Sequence, residues 1–253
     1  MRLSLFGSGM MIMAVGAQGW LAAQQTNPLS EERMVAVPFV GCKSEGQVSY
    51  EAPKRASRAV LVGRDAAQKL AYYETDSPVG VLAPRGWYCL GLVGSSGDGL
   101  IVSPKPIDSE VVFSSRHGDL VGPAIAVSHT IGVGSGSDHV ARIIARVFPA
   151  YRAFAVDEMK RFGGRFTFGP YPTDTLTYKS EKVVEYRTPA HTEGLGTLSW
   201  LKKNDSPIEG VAILVGRTPD LLLLAVRLPA TLSGLAPAII REAERIPDRS
   251  FIH

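Results

Sequence analysis

Short apolar segments separated by turn residues dominate the second half of the chain, and they restrict the folds open to it. Each segment has the length of one β-strand. Polar, proline-containing turns at 204–207 and 218–220 separate the last three. Because strands joined by such short turns pair antiparallel, the pattern favours an α+β fold over a doubly wound α/β sheet. The predicted strands are 176–179, 183–187, 195–201, 211–215 and 221–228.

The first half of the chain repeats this pattern with more glycine. Two apolar runs, 88–93 and 100–102, flank the turn cluster 94–99 and predict a β-hairpin. A short helix is predicted over 65–73, with Leu70 on its apolar face. The other predicted strands are 35–40, 59–62, 79–82 and 122–128, and the polar segment 43–57 is predicted to be a loop.

A long central helix is predicted from Ser137 or Asp138 to Phe162, because apolar residues recur there at helical spacing. Pro149 lies inside this segment, so we expect a kink or a restart there. A closing helix is predicted over 232–246. The predicted fold is therefore α+β, with a mostly antiparallel sheet flanked by a long central helix and a C-terminal helix. The apolar face consists of Val140, Ile143, Ile144, Val147, Phe148, Tyr151 and Phe154.

An export signal is predicted at the N-terminus. Arg2 gives a short basic region, and residues 5–23 contain no charged side chain. Small residues end this run, as a signal peptidase site requires. An uncleaved membrane anchor is the alternative, and the four glycines in the run disfavour it. We expect a signal peptide over 1–23, a flexible mature N-terminus over 24–33 and a single globular α+β domain over 34–253, in the periplasm or secreted.

Cys42 and Cys89 are the two cysteines of the chain. In an oxidising compartment an even number of cysteines favours a disulfide, with buried free thiols as the alternative. Neither cysteine has a histidine within four residues, so zinc ligation is not predicted. We expect the two to lie at neighbouring positions of one sheet and to form a bridge.

Charge and motifs argue against several functions. The net charge of +3 is too small and too evenly spread to predict a nucleic-acid partner. The glycine-rich segment Gly132–Ser137 fits neither dinucleotide-binding nor P-loop spacing, which favours a strand-to-helix loop. His191–Glu193 is more consistent with a solvated loop than with a metal site. No catalytic, cofactor-binding or metal-binding residue is predicted.

Three arginines form a mildly basic face of the long helix: Arg142, Arg146 and Arg152. They are candidate surface contacts to an acidic partner or an anionic polymer of the envelope. A solvated helix face is the alternative, and it is the more usual role of such a charge pattern.

Several short motifs resemble those of exported bacterial proteins of unknown function. They are Val37–Cys42, Ala83–Cys89, Phe168–Pro172 and Thr188–Thr197. More remotely, the run Pro84–Trp87 followed by a hairpin, a strand, a long helix, three strands and a final helix is similar to the PsbP-like fold. That fold is a sheet flanked by helices. The first resemblance implies no activity, and the second implies a fold but no functional residue.

These observations favour an exported, non-enzymatic accessory or binding protein of the bacterial envelope, which acts on an envelope protein or polymer. One alternative is an envelope hydrolase with a dispersed active site. Another is a carrier of small apolar ligands, without a resident cofactor. A cleft with converging His, Ser and Asp side chains would favour the hydrolase, and a closed apolar cavity would favour the carrier. The sequence does not fix the oligomeric state.

The predicted signal peptide has a direct test. Mass spectrometry of the protein from its native host is expected to find a mature N-terminus between Gln18 and Gln25, because the small residues that precede these positions suit signal peptidase. An intact Met1 on cytoplasmic protein would contradict export.

Overall fold

A computed structural model describes residues 32–77, 79–107, 109–113 and 120–246. The predicted signal peptide and residues 24–31 of the predicted flexible segment lie outside the described residues. The last two residues of that segment are placed. Arg33 begins the first strand, and Glu32 Oε1 lies 2.7 Å from Arg241 Nη2.

The strands of the described residues form two sheets, with helices between and around them. The strands are β1 Arg33–Gly41, β2 Ser44–Gly46, β3 Ser57–Val62, β4 Leu70–Glu74, β5 Gly80–Pro84, β6 Tyr88–Gly94, β7 Gly97–Ser103, β8 Ala124–Thr130, β9 Thr175–Tyr178, β10 Val183–Thr188, β11 Ile208–Val215 and β12 Asp220–Arg227. The helices are α1 Arg64–Lys69, α2 Ser109–Phe113, α3 Ser137–Val147, α4 Arg152–Phe162 and α5 Ala236–Ala243, with 3-10 turns at Pro149–Tyr151, Leu195–Leu198 and Ala230–Leu235.

Antiparallel pairing predominates in both sheets, so the predicted α+β class is confirmed. The smaller sheet has the order β3-β1-β4-β5, and the larger has the order β2-β6-β7-β8-β12-β11-β10-β9. Among the described strands, the parallel pairs are β1–β4 and β2–β6. The chain therefore builds two sheets where the sequence predicted one.

The eight-stranded sheet lies between two apolar cores. On β12, Leu222, Leu224 and Val226 belong to the core shared with the four-stranded sheet and α5. The intervening Leu221 and Leu223 belong to the second core, which packs against α3. Successive side chains of a strand point to opposite faces. The apolar run in β12 is thus explained by a central strand that is buried on both faces.

The predicted long helix is interrupted at Pro149. α3 ends at Val147, a 3-10 turn begins with Pro149, and α4 resumes at Arg152. Proline has no N–H to donate to the preceding turn, and its ring clashes with that turn. The expected restart at this residue is therefore confirmed. At the C-terminus the predicted helix is also divided, into a 3-10 turn at Ala230–Leu235 and the shorter helix α5.

The predicted helix over 65–73 is wrong in its second half. Helix α1 ends at Lys69, and the chain continues directly into β4. Leu70, Ala71, Tyr72 and Tyr73 are all buried. Four consecutive buried residues do not fit one face of an amphipathic helix, whereas a central strand buries both faces. Arg85 Nη2 donates to the Ala67 carbonyl at 2.8 Å and helps to end the helix.

The predicted strand over 195–201 is also wrong. Leu195–Leu198 forms a 3-10 turn, because side chains take up its backbone donors. The N–H of Leu195 donates to Asp174 Oδ2 at 2.7 Å, and the N–H of Gly196 donates to Thr188 Oγ1 at 3.0 Å. These donors are therefore not available to a neighbouring strand.

Cys42 and Cys89 form a disulfide, with Cα atoms 5.6 Å apart. Cys42 follows β1 of the smaller sheet, and Cys89 lies in β6 of the larger. The bridge therefore connects the two sheets, and the expectation of neighbouring positions in one sheet is wrong. A structural disulfide is typical of an oxidising, extracytoplasmic compartment. No helix of the described residues has the length and apolar character needed to cross a membrane.

Replacing both Cys42 and Cys89 with alanine is expected to leave the protein folded but less stable. The bridge closes a loop between residues 47 apart, which corresponds to about 4 kcal/mol in the chain-entropy model. For a chain of this size, that is a fall in Tm of about 8–16 °C. Calorimetry of the oxidised protein and the double variant measures it, and an unchanged Tm would contradict the prediction.

A second stability prediction concerns Glu244, which follows α5. Burial raises the pKa of this carboxyl, and a hydrogen bond with Glu185 and repulsion from its charge raise it further. The folded state therefore holds a proton on Glu244 that the unfolded chain releases at lower pH. The stability that this proton contributes is present below the unfolded pKa and is lost as the pH rises through the folded pKa.

Glu244→Gln is therefore expected to raise Tm at about pH 8 and to change it little at about pH 4, because the neutral amide resembles the protonated carboxyl. Thermal melts across this range measure the difference between variant and wild type. Glu51→Gln, at an exposed position, is the control and should show no such trend. A gain that is equal at both pH values would contradict the assignment.

Candidate functional site

The three arginines predicted as surface contacts each lie over an aromatic ring. The rings belong to residues 165–174, here called the return segment, which leads from α4 to β9. Arg142 Cζ is 4.7 Å from the centroid of Phe166. Arg146 and Arg152 are each 4.1 Å from a centroid, of Tyr171 and Phe168 respectively.

These stacked pairs fasten the return segment to α3 and α4. Main-chain bonds strengthen the attachment, because Gly169 N donates to the Ala145 carbonyl at 2.9 Å and Arg146 Nη1 donates to the Gly169 carbonyl at 3.3 Å. Arg142 and Arg152 are exposed, whereas Arg146 is half-buried. Cation–π stacking gives all three arginines a structural contact within the chain.

A buried arginine holds the loops at one end of the larger sheet. The side chain of Arg227 is almost completely buried, and burial lowers its pKa to about 10. Its guanidinium donates to the main-chain carbonyls of Leu120, Gly122 and Lys202. It thereby fixes the segment that carries Trp200, two residues before Lys202.

That segment forms one wall of a cleft of about 470 Å³, a volume within the usual range for small-molecule sites. The floor is the part of the larger sheet where β7 and β8 pair, and the N-terminal turn of α3 closes another side. Residues whose side chains are apolar or uncharged dominate the lining. They include Leu92, Val112, Ser128, Thr130, His139, Leu198, Ser199 and Trp200.

The Trp200 ring lies edge-on against the floor of the cleft at Gly99. A Cβ atom added to Gly99 would lie 2.4 Å from Trp200 Cη2, closer than two carbon atoms can approach without displacement. Glycine is therefore required at this position for the indole to reach the sheet. The indole of Trp200 is half-buried, so part of it faces the cleft.

Four polar side chains around the cleft make no hydrogen bond to the described residues: Ser128, Thr130, His139 and Trp200. Two other serines differ, because Ser135 Oγ donates to the Ser95 carbonyl at 3.0 Å and Ser199 Oγ donates to the Gly196 carbonyl at 2.7 Å. Burial lowers the pKa of His139, so its imidazole is neutral at neutral pH. The four free groups can therefore pair with a ligand as neutral donors and acceptors.

Two titratable residues of the lining, Asp98 and His129, have their partners on the opposite face of the sheet. Asp98 Oδ2 accepts a hydrogen bond from Ser77 at 3.0 Å. His129 Nε2 lies 3.5 Å from Asp220 Oδ2. Successive side chains of a strand point to opposite faces of the sheet. Asp98 and His129 therefore point to the same face as Leu100 and Val127, which belong to the core beneath the smaller sheet, and away from the cleft.

The two remaining motifs of the sequence analysis, the glycine-rich segment and the segment around His191, lie in loops of the structure. Gly132–Gly136 connects β8 to α3, and Ser137 Oγ donates to Glu158 Oε2 at 2.7 Å. A carboxylate thus lies at the positive end of the α3 dipole, which does not suit a phosphate. His191 is an exposed loop residue, 3.4 Å from Asp205. Among the described residues, no group of three His, Cys, Asp or Glu side chains is arranged to hold a metal ion.

Sequence reasoning missed the residues of the cleft. Trp200 fell inside a predicted strand, and His139 was only one of several scattered histidines. The available signal was the run Gly194-Leu195-Gly196, since two glycines weaken a strand and often mark a departure from it. The contact of Trp200 with Gly99 joins residues 101 positions apart and has no local signature.

Comparison of the chain with protein-family models, with characterised proteins and with solved structures found no match. The resemblances to exported bacterial proteins and to the PsbP-like fold stay predictions. The function must therefore be inferred from the geometry of the cleft and from the disulfide.

Arg146→Ala is expected to destabilise the fold by about 1–2 kcal/mol, because it removes a cation–π contact and a hydrogen bond. Urea unfolding measures this loss. Lys160→Ala on α4 is the control, since the Lys160 ammonium is exposed and pairs only with exposed Asp157; its cost is expected to be under about 0.5 kcal/mol. Equal costs would mean that Arg146 lies on a solvated face.

Proposed function

We propose that this chain is an exported, non-enzymatic binding protein of the bacterial envelope, and that it binds its ligand in the cleft beside Trp200. The cleft carries the proposal, because it combines a suitable volume with four polar groups that have no partner among the described residues. Such a combination of apolar walls and a few convergent polar groups is typical of ligand sites.

The compartment is supported by two independent features. The disulfide Cys42–Cys89 fits an oxidising environment, and the uncharged run at 5–23 fits a signal peptide for the periplasm or for secretion.

Binding is favoured over hydrolysis by the orientation of the serines. A nucleophilic serine needs a base within hydrogen-bond reach. Ser135 and Ser199 donate to main-chain carbonyls instead, and Ser128, which also lines the cleft, makes no hydrogen bond to a base among the described residues. His139 makes no hydrogen bond to a serine or a carboxylate of the described residues. The cleft is also polar at one edge, which fits a purely apolar carrier less well.

Native mass spectrometry of the mature protein, mixed with a small-molecule extract of the bacterial envelope, tests this proposal. A bound small molecule is expected with the wild type. It is expected to be lost with Gly99→Ala, because the new Cβ would displace the Trp200 indole. Circular dichroism checks that the variant remains folded.

The control is Gly234→Ala, at an exposed position where an added Cβ meets no atom within 4 Å. This variant should retain the bound molecule. Absence of any adduct with the wild type would overturn the proposal, as would an adduct that Gly99→Ala retains in full. Turnover of the bound molecule would establish the hydrolase alternative instead.

A further inference from the structure

We infer that the cleft beside Trp200 selects an uncharged pyranose sugar, either free or at the end of an envelope glycan. This inference rests on the proposed function, and it deepens that function by naming the class of ligand. The observations that carry it are the chemical character of the lining, the aromatic wall and the arrangement of polar groups along one edge.

The lining disfavours a charged ligand. Among the residues that the structure describes, no lysine, arginine or glutamate lines the cleft. Asp98 and His129 contribute to the lining, but Asp98 accepts a hydrogen bond from Ser77 on the other face of the sheet, and His129 lies 3.5 Å from Asp220 there. A charged ligand would lose water without gaining an opposite charge, and that loss is costly.

Another groove among the described residues has the opposite character. It lies between α1 and α5, with a volume of about 610 Å³, and Asp65, Lys69 and Arg241 contribute to its lining. Its charges compensate each other in part, since Arg241 pairs with Glu32. The described residues that line this groove include no aromatic side chain, so it suits a neutral ring less well.

The cleft has an apolar wall for the C–H face of a sugar ring and hydroxyl groups for the ring's own hydroxyls. The indole of Trp200, with Leu198 beside it, offers an apolar surface against which the C–H face of a pyranose can pack. Ser128 and Thr130 lie two residues apart on β8, so their hydroxyls share one face of the sheet.

These hydroxyls, the His139 imidazole and the Trp200 N–H supply both donors and acceptors. Ring hydroxyls likewise donate and accept hydrogen bonds. A site with several such neutral groups at the edge of an apolar wall can therefore satisfy a sugar without any charged residue. Removing one of these groups should leave a sugar hydroxyl without its partner, which weakens binding.

Isothermal titration calorimetry of the mature protein with three related sugars tests the inference. The probes are N-acetylglucosamine, which is neutral, glucosamine, which is cationic, and glucuronic acid, which is anionic. The neutral sugar is expected to bind at least about tenfold more tightly than either charged sugar. A short N-acetylglucosamine oligomer forms a further arm, since tighter binding of the oligomer than of the monomer identifies a glycan end as the source.

Two variants connect binding to the cleft. Trp200→Ala is expected to abolish binding of N-acetylglucosamine, and Ser128→Ala, a smaller change, is expected to weaken it by about tenfold. Gly234→Ala is the control and should bind as the wild type does. Binding that survives both substitutions in the cleft would overturn the assignment, and so would equal or tighter binding of a charged sugar.

The result can be separated from that of the proposed function. If none of the three sugars binds while the envelope extract still yields an adduct that Gly99→Ala removes, the sugar assignment is wrong and the proposed binding function stands. If the extract also yields no adduct, the proposed function itself is overturned.

Discussion

The central strands of the eight-stranded sheet are apolar on both faces, and the rest of the structure follows from the need to cover both. On one face, the four-stranded sheet and α5 complete a core with Leu222 and Leu224. On the other face, α3 packs on Leu221 and Leu223. Burial of apolar surface is the dominant favourable contribution to folding, so neither face can be left in water. The cleft exists because α3 and the loop that carries Trp200 leave the end of β7 and β8 uncovered.

Two further interactions hold the layers in place: the disulfide Cys42–Cys89, which acts mainly on the unfolded chain, and the hydrogen bonds of Arg227, which act in the native state. The disulfide joins the smaller sheet to β6 covalently, and it acts mainly by restricting the unfolded chain. The buried guanidinium of Arg227 acts in the native state, where it satisfies carbonyls of Leu120, Gly122 and Lys202. A buried cation without these acceptors would be costly. The position of Trp200 therefore depends on an arginine in the adjacent strand β12.

The arginines of the basic helix face make contacts within the chain that the sequence did not indicate. Arg142, Arg146 and Arg152 are spaced as a solvent-facing stripe, and two of them are exposed. Their guanidinium planes nevertheless lie over rings of the return segment. Stacked arginines stabilise a long connection that contains no regular secondary structure, and this explains the aromatic and proline residues between Phe166 and Pro172. A charge pattern on a helix does not reveal such contacts, because the rings come from a segment whose path the sequence leaves open.

Local patterns in the sequence determined much of the fold. Alternation and turn residues predicted the hairpin β6–β7 and the strands β8 to β12, and Pro149 predicted the interruption between α3 and α4. These features depend on backbone geometry within a few residues, so a single sequence reveals them. The pairing of the two cysteines was also predictable, from their even number and the predicted export signal.

Only the tertiary structure decided the division into two sheets, the change from helix to strand at Leu70 and the 3-10 turn at Leu195. In each case long-range burial or a distant side chain outweighed local preference: both faces of Leu70–Tyr73 are covered, and Asp174 takes the Leu195 N–H. The cleft arises in the same way. Trp200, Gly99 and His139 lie in three separate parts of the sequence, and packing alone brings them together around one volume. The sequence by itself thus determined most of the elements and predicted the disulfide, whereas the candidate site was decided by contacts between residues far apart in the chain.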